Sequence, residues 1–283
     1  MHSLKQIKSR LRTVNNIKKL THGLEMISVS KLKRQRQLLS SAQAYADRLS
    51  GFLQDILSDE RPLTHPFLER ASGSQGPIVC LITSDTGLCG SYNRLVIEAT
   101  ERFLSDHDTD SVFLVTVGKK GFIYFKKNNF KILRSIVGLN GRYSDTVAFE
   151  LVDTLAENFL FHQPCGVYLV YAKITGVSSY KAVVEKLLNI ETPGFASVRH
   201  IFEPAPDALL TELISHYLFY KIKVTLLQAF CCEHQCRAVA MGESTQNAQG
   251  LFETLVTQRN KLRQYNITKE IIEIISSVEA LRQ

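Results

Sequence analysis

The chain is poorest in acid where it is richest in base. Its first 46 residues carry ten Lys/Arg and a single acidic residue, Glu25. Residues 1–61 hold 12 basic and 5 acidic side chains, while residues 62–206 (14 and 14) and 207–283 (8 and 8) balance. The net charge of +7 therefore belongs to the first segment. Proline is missing from both flanks, since all seven lie between Pro62 and Pro206. Proline breaks helix interiors, so flanks of 61 and 77 residues without it are free to form very long helices. No Phe, Tyr or Trp occurs in residues 1–44, which removes the main stacking surfaces that single-stranded nucleic acid uses. No apolar run approaches the roughly 20 residues of a membrane helix. The N-terminus lacks the apolar stretch of a secretory signal. It is basic and amphipathic, as a transit leader is, but the pattern runs to about residue 57, too long and regular for a leader. The six cysteines are scattered, and a chain of 283 residues needs no disulfide staples, which predicts reduced thiols in an intracellular setting.

What is present in the flanks is helical periodicity. Leu4, Ile7, Leu11, Val14, Ile17, Leu20, Leu24 and Ile27 recur at steps of three or four. After an offset near Ser28–Ser30 come Leu32, Leu39, Ala42, Ala46, Leu49, Leu53 and Ile56. This is coiled-coil spacing, and the offset predicts a local change of winding. The C-terminal flank repeats it through Leu209, Leu213, Tyr217, Tyr220, Val224, Leu227, Cys231, Ala238 and Met241, with Gly242 and Gly250 weakening the middle. Helices of about 55 and 75 residues span roughly 80 and 110 Å, too long for a compact domain of this size. The simplest arrangement pairs them antiparallel, the longer C-terminal helix overhanging the shorter. In "NITKEIIEIISSVEAL" the isoleucines crowd around the axis rather than along one stripe. A helix apolar on most sides is covered on most sides, here by another protein.

Between the flanks the chain reads as α/β. "PIVCLIT", "SVFLVTV" and "GVYLVYAKI" are strand-like, and helical stretches lie around 91–105, 119–128 and 144–161. The alternation predicts a mostly parallel, wrapped sheet. The expected organisation is an N-terminal coiled-coil helix over 1–61, a Rossmann-like α/β domain over 62–206 and a C-terminal helix over 207–283 that completes one stalk with the first. "SDTGLCGSYN" follows the first strand and opens a helix, where such folds bind phosphate. It lacks both G-x-G-x-x-G and G-K-[ST], so it reads as a tight turn using Gly87 and Gly90. "GKKG" at 118–121 reads as a basic turn. "CCEHQC" mixes metal-ligand types, but on a helix only Cys232 and Cys236 share a face. A structural zinc site needs a second knuckle, so these residues read as small helix-packing groups. No catalytic constellation stands out.

Taken together, "SLKQIKSRLRTVNNIKKLTHGLEMISVSKLKR", "SDTGLCGSYN", "VGKKG", "CEHQCRAVAMGESTQNA" and "NKLRQYNITKEIIEIISS" resemble the gamma subunits of F-type ATP synthases, in order and across the whole chain. The resemblance implies an antiparallel coiled coil on a Rossmann-like domain. It implies a non-catalytic central rotor shaft with no cofactor, turning inside a hexamer of alpha and beta subunits. The base of that shaft joins the epsilon subunit and the membrane c-ring. It places the chain peripherally on the cytoplasmic face of a bacterial membrane, or, as the alternative, on the inner mitochondrial membrane.

By motif, Arg263 and Gln264 would meet the beta-subunit loop that catches the shaft, with Thr268 and Glu270 just beyond. Ile271 and Ile275 would enter an apolar sleeve at the top of the hexamer. Leu24, Glu25 and Met26 would lie near acidic beta loops, and Lys8, Arg10, Lys18, Lys31, Lys33, Arg34 and Arg36 would give these loops a distributed positive field. The sequence departs from the family at Thr86, where a basic residue is usual, and at Tyr265, where a small one is. It departs again in the cysteines of "CCEHQC" and in a polar tail, "SSVEALRQ". Two other classes fit parts of the pattern: a nucleotide-dependent α/β enzyme using Ser84–Asn93, and a nucleic-acid-binding coiled coil using residues 5–36.

Overall fold

A computed structural model describes residues 4–58, 63–68, 76–108, 111–176, 179–190 and 206–280. The chain runs α1 (Leu4–Leu57), β1 (Ile78–Ile82), α2 (Tyr92–Leu104), β2 (Phe113–Val117), α3 (Lys119–Lys127), β3 (Lys131–Ile136), α4 (Asp145–His162), β4 (Val167–Ile174), β5 (Tyr180–Leu188) and α5 (Pro206–Ala280). The two proline-free flanks form helices of 54 and 75 residues. Proline opens α5 at the first helical position, where a missing N–H leaves no intrahelical bond unmade. The boundary expected between residues 61 and 62 lies outside the described residues, as do the last three residues of the polar tail.

The chain divides into two compact units, Ser28–Arg237 and Met1–Ile27 with Ala238–Gln283. In the first unit a five-stranded sheet has the order β3-β2-β1-β4-β5. Strands β1 to β4 pair in parallel and β5 runs antiparallel to β4 at one edge. Both edge strands, β3 and β5, escape the sequence reading. "KILRSI" and "YKAVVEKLL" interleave charged with apolar residues, and most of their side chains stay partly exposed. Central β1 is buried along its whole length. Its residues alternate between layers, with Ile78, Cys80 and Ile82 against α1, α4 and α5, and Val79 and Leu81 against α2 and α3. Within this unit α5 is engulfed, every residue from Val224 to Arg237 being buried. Helix α1 lies antiparallel to it, Arg36 meeting Gln235, Gln43 meeting Gln228 and Tyr45 meeting Tyr220.

In the second unit the two helices alone make the core. Ile7, Leu11 and Val14 pack with Ala248 and Leu255, flanked by Phe252, Val256 and Leu262. Further along, polar pairs replace the apolar ones. The Lys18 Nζ donates to Gln249 Oε1 at 2.6 Å, and the Thr245 and Thr21 hydroxyls are 2.8 Å apart. Glycine at 242 has a steric reason, since a Cβ there stands 3.2 Å from a Glu25 carboxylate oxygen.

The seam of α1 differs from the apolar trace. Ile7, Val14, Thr21, Ser28, Gln35, Ala42 and Ile56 are buried at steps of seven or a multiple of seven, with Leu49 half-buried on the same line. The seven-residue register runs through Ser28 without the expected offset. Polar side chains hold the seam from 21 to 35, while Ile17, Leu20 and Ile27 face out at 47%, 64% and 55% exposure. Following hydrophobicity alone tracked these outward residues. In C-terminal α5, all nine expected seam residues are buried or half-buried.

Candidate functional site

The strand ends that hold phosphate in many α/β proteins are filled here by the chain's own side chains. Strand β1 runs out into Thr83, Ser84 and Asp85. The Asp85 carboxylate accepts three backbone N–H groups, from Lys119 and Gly138 at 3.0 Å each and from Asn140 at 2.7 Å. One acidic residue thus caps α3 and ties in the loop after β3, spending its charge on the donors an anion would need. The Ser84 hydroxyl and the Asn93 side-chain amide bond each other, and the Ser84 N–H donates to Asn93 Oδ1 at 2.9 Å. In the turn, the left-handed residues are Leu88 (φ 62°) and Gly90 (φ 58°), not Gly87. "GKKG" is the start of α3 rather than a free turn. Gly118 (φ 94°) has no room for a Cβ, which would stand 2.2 Å from the Thr83 carbonyl oxygen.

On this platform α5 seats "EHQCR". The Arg237 guanidinium donates through Nη2 to the Thr86 carbonyl and hydroxyl (3.2 and 3.1 Å), and through Nε to the Gly87 carbonyl at 3.3 Å. The His234 Nε2 lies 2.9 Å from the Gly141 carbonyl, which only accepts, so Nε2 carries the proton. Its Nδ1 then accepts from Arg237 Nη1 at 3.4 Å. Burial pushes the His234 pKa down to about 4, keeping the ring neutral. Glu233 Oε1 lies 2.8 Å from Arg237 Nη2 as a buried ion pair. Burial pushes its carboxyl upward, against the pull of Arg237. Helix α1 joins from the other side, with Lys31 Nζ on the Asn140 carbonyl (3.1 Å) and Gln35 Nε2 on the Gly141 carbonyl (3.4 Å). Burial lowers the Lys31 pKa. Nothing in the sequence pattern singles out Asp85, Glu233 or Arg237. Their signal was the pairing of "SDTG" with "EHQCR", two short polar motifs that gain meaning only once the fold brings them together.

The residues assigned to partner contact fall into three settings. Lys8, Arg10, Lys33 and Arg34 are exposed on α1, whereas Lys18, Lys31 and Arg36 are bonded to Gln249, Asn140 and Gln235 of the same chain. Leu24 and Glu25 are half-buried, Glu25 lying 3.5 Å from His22, and Met26 is 57% exposed. On α5, Arg263, Gln264, Thr268, Glu270, Ile271 and Ile275 are all exposed. From Ile267 to Val278 every side chain faces solvent, six of them Ile or Val. Among the described residues no helix is long and apolar enough to cross a membrane, and no group of three or more His, Cys, Asp or Glu could hold a metal ion.

The sequence profile of the ATP synthase family matches residues 3–281. The ATP synthase gamma chain of Desulfitobacterium hafniense is 34% identical over 283 residues, covering 99% of this chain and all of that relative. That of Salinibacter ruber is 31% identical over 306 residues, covering all of this chain and 99% of the relative. Among solved structures, a chain of the Euglena gracilis mitochondrial ATP synthase (OSCP/F1/c-ring, rotational state 3) shares the fold at a TM-score of 0.67 and 16% identity, covering 98% of this chain and 94% of that one. A chain from the central stalk and c-ring of the Tetrahymena thermophila enzyme does so at 0.60 and 20%, covering 79% and 98%. With the profile matched almost end to end and relatives above 30% identity along the full length, this chain belongs to the ATP synthase gamma chain family.

Proposed function

We propose that this chain is the non-catalytic shaft of a rotary ATP synthase, carrying torque between a membrane c-ring and a catalytic alpha/beta hexamer. The observation that carries the reading is the tip of α5, where a dozen consecutive exposed residues include Ile267, Ile271, Ile272, Ile274, Ile275 and Val278. A helix tip this apolar favours a partner that covers it, and a sleeve formed by the top of the hexamer meets that need. Arg263 and Gln264 catch a beta-subunit loop one turn below the tip, with Thr268 and Glu270 beside it. A guanidinium suits this role because it grips a carboxylate through two parallel hydrogen bonds.

Leu24, Glu25, Met26 and the exposed cations Lys8, Arg10, Lys33 and Arg34 face acidic beta loops. Lys18, Lys31 and Arg36 add field from fixed positions. Such a field attracts without one docking pose, as a turning shaft requires. Torque needs asymmetry, because a three-fold shaft favours no beta subunit over another. Two unequal helices supply it. Residues 62–206 serve as the mount for the epsilon subunit and the c-ring, at the membrane surface rather than within it. This platform binds no nucleotide, since its strand ends are closed by Asp85, His234 and Arg237. Calorimetry should give no heat with ATP, ADP, NAD or FAD, and a micromolar dissociation constant for any of them would overturn that part.

The direct test of the catch is Arg263→Ala, reconstituted with the remaining subunits. Loss of one partner from a desolvated charge pair costs about 2–5 kcal/mol. Coupled ATP hydrolysis and ion pumping should fall while the free chain stays folded. If the variant performs like wild type and removal of residues 278–283 abolishes activity, the grip lies at the tail and not at Arg263.

A further inference from the structure

Between α1, the β4–β5 pair and α5 lies a polar cavity of about 140 Å³ that shares no residue with the seat of Arg237. Its inner wall is Tyr171, Val224, Thr225 and Gln228, all buried, while Asp47 and Lys173 are exposed at its rim. The hydrogen bonds of this wall leave two loose ends. On one side Gln43 Nε2 donates to Asp47 Oδ1 at 2.8 Å, and Gln228 Nε2 donates to Gln43 Oε1 at 3.0 Å. A carboxylate only accepts, so Asp47 turns the Gln43 nitrogen toward itself, and the Gln43 oxygen then takes the Gln228 nitrogen. The Gln228 oxygen is what remains. Gln228 is 9% exposed, and its Oε1 is buried with no hydrogen-bond partner among the described residues. On the other side the Glu185 carboxylate accepts from Tyr171 Oη at 2.9 Å and from Lys221 Nζ, and Thr225 bonds back to the Tyr171 oxygen. This bond uses one of the three N–H donors of Lys221.

A buried acceptor without a donor is costly, and this one belongs to the wall of a space that can hold its partner. A cavity of about 150 Å³ takes a molecule the size of benzene, so a small organic group fits. Asp47 and Glu185 balance Lys173 and Lys221, and the lining therefore carries no net charge to draw an ion of either sign. It offers an acceptor lacking a donor at Gln228 and unused donors at Lys221. Residues seven apart share one face of a helix, so both groups look onto the same space. The group that matches them is planar and neutral, with N–H at one end and C=O at the other. We propose that this cavity binds a carboxamide, its N–H donating to Gln228 Oε1 and its carbonyl accepting from Lys221 Nζ. Tyr217 and Val224 supply apolar surface for the rest of the ligand. Ions of the same shape fail at one end each. A carboxylate sets a lone pair against Gln228 Oε1, and an amidinium sets N–H groups against the Lys221 ammonium. The amide comes from a small molecule or from an Asn, Gln or backbone group of a neighbouring chain, with the same chemistry in each case.

The test is saturation-transfer NMR on the full chain with three compounds of one shape: isobutyramide, isobutyrate and isobutyramidinium. The amide should bind with a dissociation constant of about 1–10 mM, the scale for so few non-hydrogen atoms, and each ion at least about 5-fold more weakly. Gln228→Leu and Lys221→Met should each weaken amide binding by about 5–10-fold, whereas Lys173→Gln at the rim should leave it unchanged. Far-ultraviolet dichroism and the melting temperature verify the fold of each variant, and the comparison of the three compounds on the unaltered chain needs no variant. Repeating the titration on the reconstituted complex separates the two sources, and this arm alone rests on the shaft reading. Binding lost there assigns the cavity to an amide of a neighbouring chain, and binding kept assigns it to a small molecule. Three results would each overturn the proposal: no binding of the amide, which leaves water alone in the cavity; an ion bound as tightly as the amide; or amide binding unchanged in both Gln228→Leu and Lys221→Met.

Discussion

Two stretches of one helix stand in opposite environments. Residues 224–237 of α5 are all buried, although they include Gln228, Glu233, His234, Gln235 and Arg237. Residues 267–278 are all exposed, although half of the dozen are Ile or Val. Hydropathy alone anticipates neither the buried polar groups of the first stretch nor the exposed apolar ones of the second. The difference teaches that burial follows the availability of partners. The polar groups His234 and Arg237 of the first stretch are buried because Thr86, Gly87 and Gly141 offer acceptors at fixed positions. The apolar stretch is exposed because its cover belongs to another chain in the proposed assembly. The first serves folding and the second serves assembly, so changes in each should be read by different measurements.

The largest effect expected comes from breaking the buried end. Arg237→Met removes the donors to Thr86, Gly87 and His234 and strands Glu233 as an uncompensated buried charge. Breaking such a pair costs about 3–5 kcal/mol, to be read as a fall in the urea midpoint of the free chain. A midpoint within error of wild type would show that the seat contributes nothing to folding. Next comes Gly141→Ala. Its φ of 67° and a Cβ 2.5 Å from His234 Nε2 force both backbone strain and displacement of the ring. A cost of about 2–3 kcal/mol follows from the left-handed penalty and the clash. Equal stability of the two proteins would mean the loop yields freely.

The exposed end should invert this pattern. Ile271→Gln with Ile275→Gln alters residues 51% and 56% exposed, so the free chain should change by no more than about 0.5 kcal/mol. Coupled hydrolysis in the reconstituted enzyme should nonetheless drop. A destabilised free chain with normal coupling would place these residues in an intramolecular core. The smallest effects belong to single Lys8→Gln or Arg34→Gln changes, worth about 0–1 kcal/mol as exposed charges. Four such changes together should weaken assembly, most clearly at low salt, where screening of the wild-type field is weakest. One single change that abolished coupling while its neighbours did nothing would replace the distributed field by a specific contact.

Much of the fold was legible because its signals are local. Missing proline marked both long helices, β-rich runs marked β1, β2 and β4, and periodicity marked the α5 seam. What stayed hidden depends on neighbours distant in sequence. Thr21, Ser28 and Gln35 hold the α1 seam because the facing helix and loops supply polar or close-fitting partners, such as Thr245 for Thr21 and the Gly141 carbonyl for Gln35. No periodicity rule anticipates a polar seam beside outward-facing Ile17, Leu20 and Ile27. Edge strands β3 and β5 hid behind their charges. The seat of α5 was invisible for a similar reason, since Asp85 and Arg237 lie about 150 residues apart in a sequence that shows each only as an ordinary surface charge. The contacts assigned to Arg263, Gln264 and the basic helix rest on motif resemblance, and the fold adds their exposure or tethering to that basis.

The central claim is that the apolar end of α5 is covered by partner subunits when the enzyme assembles. Amide hydrogen exchange compared between the free chain and the reconstituted complex tests it most directly. Residues 267–278 should pass from fast exchange to strong protection on assembly, while residues 224–237, already buried in the free chain, should stay protected in both. Unchanged fast exchange at 267–278 in a catalytically coupled complex would contradict the account.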